Sequence, residues 1–198
     1  GEDRMKGRAE GDSTIPPPPW QLSGGEFLCV GVSFDGARIR QFIPEELQLT
    51  AGATGGFYHY RAQQGWGIAP YIAGFAYVDV EGYDAPDGSK GKFAFHAFFS
   101  QKGYEGFYNY LQRPGLHLGE ASIERRGDQV EATSGSAGKV VFRNVVRILG
   151  NEATTPLGSG VNYWVWVEGG QVHGMACSFT SRFLESEPIV AEINPDGS

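Results

Sequence analysis

A chain of 198 residues is long enough for one domain with its own hydrophobic core. Its formal net charge of −7, from 16 Lys and Arg against 23 Asp and Glu, supplies no basic stripe for nucleic acid or for an anionic membrane surface. No apolar run approaches the length that spans a bilayer, and the first residues lack the charged-then-apolar plan of a signal peptide, so a cytoplasmic protein is expected, with neither nucleic acid nor membrane as partner.

Thirty Gly beside 13 Phe, 9 Tyr and 4 Trp point to many strands joined by tight turns. Residues 1–15 are polar and Gly-rich, too poor in apolar surface to order themselves, and are expected to form a disordered leader ahead of a single domain over residues 16–198. The proline run at 16–19 predicts a short polyproline II strap leading into Trp20. Residues 26–34 are small and branched apolar types bounded by Gly24-Gly25 and Asp35-Gly36, the pattern of a strand buried on both faces. Asp35 is placed to cap a short helix over 37–42, and Pro44 opens a turn through Glu45, Glu46 and Leu47.

Residues 71–80 and 92–100 alternate and flank the turn-forming Pro86-Asp87-Gly88, which predicts two strands of one meander. Aromatic and apolar residues at 104, 107, 108 and 111 have helical spacing, and Pro114-Gly115 would end that helix. Hairpins follow: 121–125 with 130–133, a long strand over 140–149, and 162–167 with 172–179. Gly169-Gly170 suits a two-residue type I′ turn in the last hairpin, which would set Trp166 opposite His173 and Trp164 opposite Met175 on one face. The fold class expected is mostly β, largely antiparallel, with a few short helices.

Cys29 and Cys177 sit in separate apolar strand-like segments without CxxC spacing and read as buried reduced thiols, a disulfide being left open. Gly52 to Gly56 lacks the lysine of a phosphate-binding loop, and His59, His96, His117 and His173 have no spacing of the zinc type. No cofactor and no metal is expected.

Several segments taken in order resemble the acetoacetate decarboxylase family. They are Pro18-Pro19-Trp20, Phe42-Ile43-Pro44-Glu45-Glu46-Leu47, Pro70-Tyr71, residues 88–100, the stretch from Tyr110 through Arg113-Pro114-Gly115-Leu116-His117 to Ala121, and the hairpin at 123–132. The resemblance implies an antiparallel β-cone or barrel and a homo-oligomer. The family's C-terminal segment looks shortened or absent here. In that family a Lys directly after the Pro of the active-site segment, activated by a second Lys and an apolar pocket, forms an imine with the substrate. Gly115 and Leu116 stand at those two positions. The family's assisting acid falls at Ala73, its second acid near Tyr58 and its substrate-orienting Arg near Gly25, so the charged constellation is replaced throughout.

Other lysines, at 6, 90, 92, 102 and 139, lie in the leader or at strand ends and read as solvated. His96 lies among Phe93, Phe95, Phe98 and Phe99, where alternation puts it on the face of Ala94 and Phe98; it reads as a core histidine or as an acid/base. Arg113 and His117 flank the lysine position, and the Arg113 fork suits a carboxylate if it is not simply a surface residue. Glu120 reads as a solvated strand residue. Asn144 shares a face with Phe142 and Val146 and needs a partner, backbone or ligand. Trp164, Trp166 and His173 form an aromatic face that serves equally as core or as stacking surface.

The expected function is a pocket lined by Tyr58, Tyr71, His96, Arg113 and His117 that binds a small carbonyl or carboxylate compound without a lysine imine. Two alternatives stand beside it. One is a lyase, a decarboxylase, aldolase or dehydratase, in which His96 or His117 carries the acid/base step; the other is an oligomerisation or interaction module.

Overall fold

The computed structural model describes residues 21–65, 70–100, 116–150 and 157–194. Its elements run β1 (Glu26–Ser33), α1 (Gly36–Ile39), a 3-10 turn (Arg40–Phe42), β2 (Gln48–Leu49), β3 (Thr54–Ala62), β4 (Tyr71–Glu81), β5 (Gly91–Ser100), β6 (Leu116–Leu118), β7 (Glu120–Arg126), β8 (Gln129–Ser136), β9 (Lys139–Ile148), β10 (Gly158–Glu168), β11 (Gln171–Ser181) and β12 (Ser186–Ile193). The larger sheet has the order β1-β3-β4-β5-β10-β11, with β2 added on β4 and β6 on β5. A smaller sheet, β12-β9-β8-β7, packs against it. Pairing is antiparallel throughout except where β5 meets β10 and β6. No described helix is long and apolar enough to cross a membrane.

Local chemistry sets the joints. The Asp35 carboxylate accepts from the backbone N–H of Ala37 at 3.0 Å and of Arg38 at 3.2 Å, satisfying two free donors of the first turn of α1. Leu47 N donates to Pro44 O at 3.1 Å in the expected turn, and Gly88 N to Ala85 O at 2.8 Å in the next. Gly169 and Gly170 take φ of 59° and 72°, the conformation a type I′ turn demands of both central residues. That turn fixes the register with Trp166 opposite His173 and Trp164 opposite Met175, as the spacing predicts.

Four points depart from the sequence reading or add to it. β1 is buried on one face only, the face that packs on the second sheet: Leu28 and Val30 are buried there, while Cys29 between them is exposed with a free thiol. Residues 54–62 form a central strand that the composition of Gly55-Gly56 disguises. Ser186–Ile193 forms a strand paired to β9, so the second sheet extends past the apparent end of the family-like region. The fourth point is at His96. The register steps from Ala76↔His96 to Tyr77↔Ala94, a bulge at Phe95, so His96 shares its face with Phe98 but not with Ala94. The helix expected near 104–111, the proline strap and the leader lie outside the described residues.

The core lies between the sheets. Phe57, Val78, Phe93 and Phe98 from the larger sheet pack on Phe142 of the smaller one, and Leu28, Val30 and Ile72 pack on Ile123, Ala132 and Val146. Phe57 and Phe142 stack at 5.6 Å. Each such large side chain, fully buried, contributes about 1.5–3 kcal/mol relative to exposure. Two glycines allow the close approach: a Cβ on Gly74 would lie 1.8 Å from Ser134 Oγ, and one on Gly119, where the chain crosses from one sheet to the other, 2.3 Å from Gly135 O. Three polar groups share the layer. His59 Nε2 lies 2.9 Å from Ser134 Oγ, and Asn144, fully buried, finds no hydrogen-bond partner for either amide atom among the described residues.

Candidate functional site

Period-two alternation sends the other face of the larger sheet away from this core. Opposite Phe57 and His59, the side chains of Tyr58 and Tyr60 in β3 share a face with Phe27 and Cys29 of β1, with Ala73, Phe75 and Tyr77 of β4, and with Ala97 and Phe99 of β5. Trp164 of β10 and Met175 and Cys177 of β11 continue it. The sheet curls about this face as a half-barrel. Phe27 of the first strand in the sheet order meets Phe179 of the last at 5.8 Å, and Tyr58 meets Trp164 edge-on at 6.1 Å within the hollow of the curled sheet. The lining is a continuous set of rings: Phe75 stacks on Trp164 at 5.0 Å and meets Phe99 edge-on at 5.5 Å, and Phe99 touches Tyr71 at 6.1 Å.

Among these rings stand hydrogen-bonding tips. The Tyr58 hydroxyl bonds the Asn162 side chain, and the Tyr77 hydroxyl lies 3.6 Å from the Cys29 thiol. Burial holds the Tyr58, Tyr71 and Tyr77 phenols far above their usual range, because a phenolate there would lose its hydration. All three are therefore neutral hydroxyls at neutral pH. Toward the β10 side, Lys92 lies 5.4 Å from the centre of the Tyr77 ring with its Nζ 3.4 Å from Asp79 Oδ1, and Asp79 Oδ2 accepts from Thr54 Oγ1 at 2.8 Å.

The residues singled out in the sequence divide between two places. Tyr58 and Tyr71 line the hollow, with Tyr71 buried and Tyr58 half-buried. His96 and His117 lie on the opposite face of β5, on either side of Phe98, whose ring is 6.3 Å from His96 and 5.6 Å from His117. Burial, and then the neighbouring charge of His117, lower the His96 pKa. Phe42 and Phe95 also pack on His96, and together with Pro44, Phe93, Ala94, Trp166 and Val167 they line a groove of about 240 Å³. A second, open concavity of about 410 Å³ runs along β10 and β11 between Ser159 and Thr180. Arg113 lies outside the described residues.

The sequence resemblance singles out Ala73, Gly25 and Leu116, and each of them lies beside one or more of the Tyr60, Tyr71 and Phe99 rings. Ala73 is 1% exposed, with Tyr60 and Phe99 as its cross-strand neighbours. A Cβ on Gly25 would lie 2.6 Å from the Tyr60 hydroxyl oxygen, so the Tyr60 ring fills the space a side chain at 25 would need. Leu116 opens β6 and packs on the cluster of Tyr71, Ala73 and Phe99. Reading single residues for reactive groups passed over Tyr60, Phe75, Tyr77, Phe99 and Asn162. The signal that finds them is the alternation in β3, where Phe57 and His59 face one way and Tyr58 and Tyr60 the other.

Among the described residues no three His, Cys, Asp or Glu side chains are grouped to hold a metal ion. No protein-family model and no curated relative matches the chain. Solved structures do. A structure of acetoacetate decarboxylase superposes with a TM-score of 0.56 over 89% of this chain and 91% of its own, at 13% identity. The acetoacetate decarboxylase of Legionella pneumophila superposes with a TM-score of 0.54 over 88% of this chain and 80% of its own, at 12% identity. Sheet order, curl and these superpositions agree that the chain has the mostly β fold of acetoacetate decarboxylase-like proteins.

Proposed function

We propose that the hollow of the curled sheet binds a small, largely apolar carbonyl compound, and that it does so without forming an imine. The observation that carries this is the convergence of neutral tyrosine hydroxyls and an amide on one aromatic concave face. Rings supply contact area and exclude water, and a few fixed donors orient an oxygen. An amine that attacks a carbonyl must be unprotonated. Among the described residues, Lys92 is engaged in an ion pair with Asp79, and Lys90 in ion pairs with Glu81 at 3.0 Å and Asp84 at 3.5 Å. Lys139 is exposed at the start of β9.

The test is titration of the chain with 2- and 3-oxo acids and with simple ketones, followed by tryptophan fluorescence, with borohydride reduction and mass analysis of the same samples. Saturable quenching without a lysine adduct is expected. A reduced adduct on any lysine would establish imine chemistry and overturn the reading.

A second reading rests on the histidine pair. His96 is neutral at neutral pH, sits beside the groove formed by Phe42 and Phe95, and has His117 across Phe98, an arrangement suited to proton transfer on an enolisable substrate. Turnover of an oxo acid without an adduct, abolished by His96→Gln and retained by Tyr58→Phe, would favour it over simple binding.

A further inference from the structure

Among the described residues, Lys90 and Lys92 on this side of the sheet are already paired with carboxylates, and this bears on what the hollow accepts. Within β5 the cation on that face is Lys92, paired with Asp79; just before the strand Lys90 is paired with Glu81 and Asp84. His173, farther along the same face, stacks on Trp166 at 5.5 Å, and its Nε2 has no hydrogen-bond partner among the described residues. Other polar tips on this face include the hydroxyls of Tyr58, Tyr60, Tyr71 and Tyr77, the Asn162 amide and the Cys29 and Cys177 thiols.

We infer that the hollow selects uncharged carbonyl compounds and rejects the corresponding carboxylates, an inference that rests on the binding reading above. A ketone oxygen needs one or two donors, which tyrosine hydroxyls provide without a change of charge. A carboxylate entering the same space gives up its hydration, and its natural counter-ion, the Lys92 ammonium, is taken by Asp79, which Thr54 fixes in place. The burial that keeps the phenols neutral acts on a ligand carboxylate in the same sense. Selection thus follows from desolvation without compensation, and no clash is required.

The experiment compares a matched pair, 4-phenylbutan-2-one and 2-oxo-4-phenylbutanoate, by calorimetric titration of the whole chain at pH 7.5. The ketone is expected to bind roughly tenfold tighter or better. If the oxo acid binds as tightly or more tightly, the inference falls while the binding reading stands; if neither binds, both fall. Asp79→Asn supplies the second arm, since it leaves Lys92 without its carboxylate. In that variant the oxo acid should gain roughly tenfold while the ketone changes little. An unchanged preference in Asp79→Asn would overturn the role given to the Lys92–Asp79 pair.

Discussion

Because His59 is fully buried between the sheets, its imidazole titrates far from its ordinary range: burial lowers the pKa from 6.5 to about 3. The unfolded chain takes up this proton near 6.5 and the folded chain only near 3, so between those values the unfolded state binds more protons and stability falls as pH drops. From this residue alone the loss between pH 7 and pH 5 is expected to be about 2 kcal/mol, read from urea midpoints. His59→Gln, which keeps a hydrogen-bonding group toward Ser134, should flatten that slope; an unaltered slope would remove His59 as its origin. His96, also lowered, adds a loss of the same sign. Asn144 behaves differently, since both amide atoms lack hydrogen-bond partners among the described residues. Asn144→Leu is expected to raise the unfolding free energy by about 1 kcal/mol or more, because it removes a desolvation cost without breaking a bond. Destabilisation by that substitution would show that the amide is satisfied in solution. The sequence marks Asn144 correctly as a polar residue on an apolar face, but whether it finds a partner depends on the opposing sheet, which no local pattern encodes.

Among the elements, the hairpin of β10 and β11 was the most legible, since Gly169-Gly170 specifies both turn type and register. Gly170→Val forces a β-branched residue to a φ of 72° and is expected to cost about 1–2 kcal/mol, measured by thermal or urea unfolding. Gly169→Asn keeps a residue type tolerant of that conformation and should cost much less. β3 was harder to read because Gly55 and Gly56 suggest a loop; in the structure they sit where a Cβ would meet Tyr77 O at 2.1 Å and Val30 O at 2.4 Å, so close backbone approach accounts for them. β12 gave little signal for another reason. It is an edge strand interrupted by Pro188 and largely exposed, held by cross-strand ion pairs such as Arg143 to Glu192 at 3.0 Å and Arg147 to Glu187 at 2.8 Å. The bulge at Phe95 inverted the expected relation of His96 to Ala94, and a one-residue insertion of this kind is visible only once the partner strand is known.

For the molecule as a whole, curling of the larger sheet turns alternation into a concave aromatic face. It gathers Tyr58, Tyr71, Phe75 and Trp164, which lie on three strands, β3, β4 and β10, into one hollow, while His96 and His117 are left on the face beyond Phe98. The fold class was readable from turn spacing and aromatic content, and the cone from segment order. The division of the named residues between two faces was not, because it depends on long-range register. The account turns on the hollow being the place where ligand sits. Its most direct test is measurement of intermolecular NOEs between bound 4-phenylbutan-2-one and assigned aromatic side chains of the chain. The account predicts contacts to the ring protons of Tyr58, Phe75 and Trp164. Contacts confined to Phe42, His96 and His117 would contradict it and move the site to the opposite face.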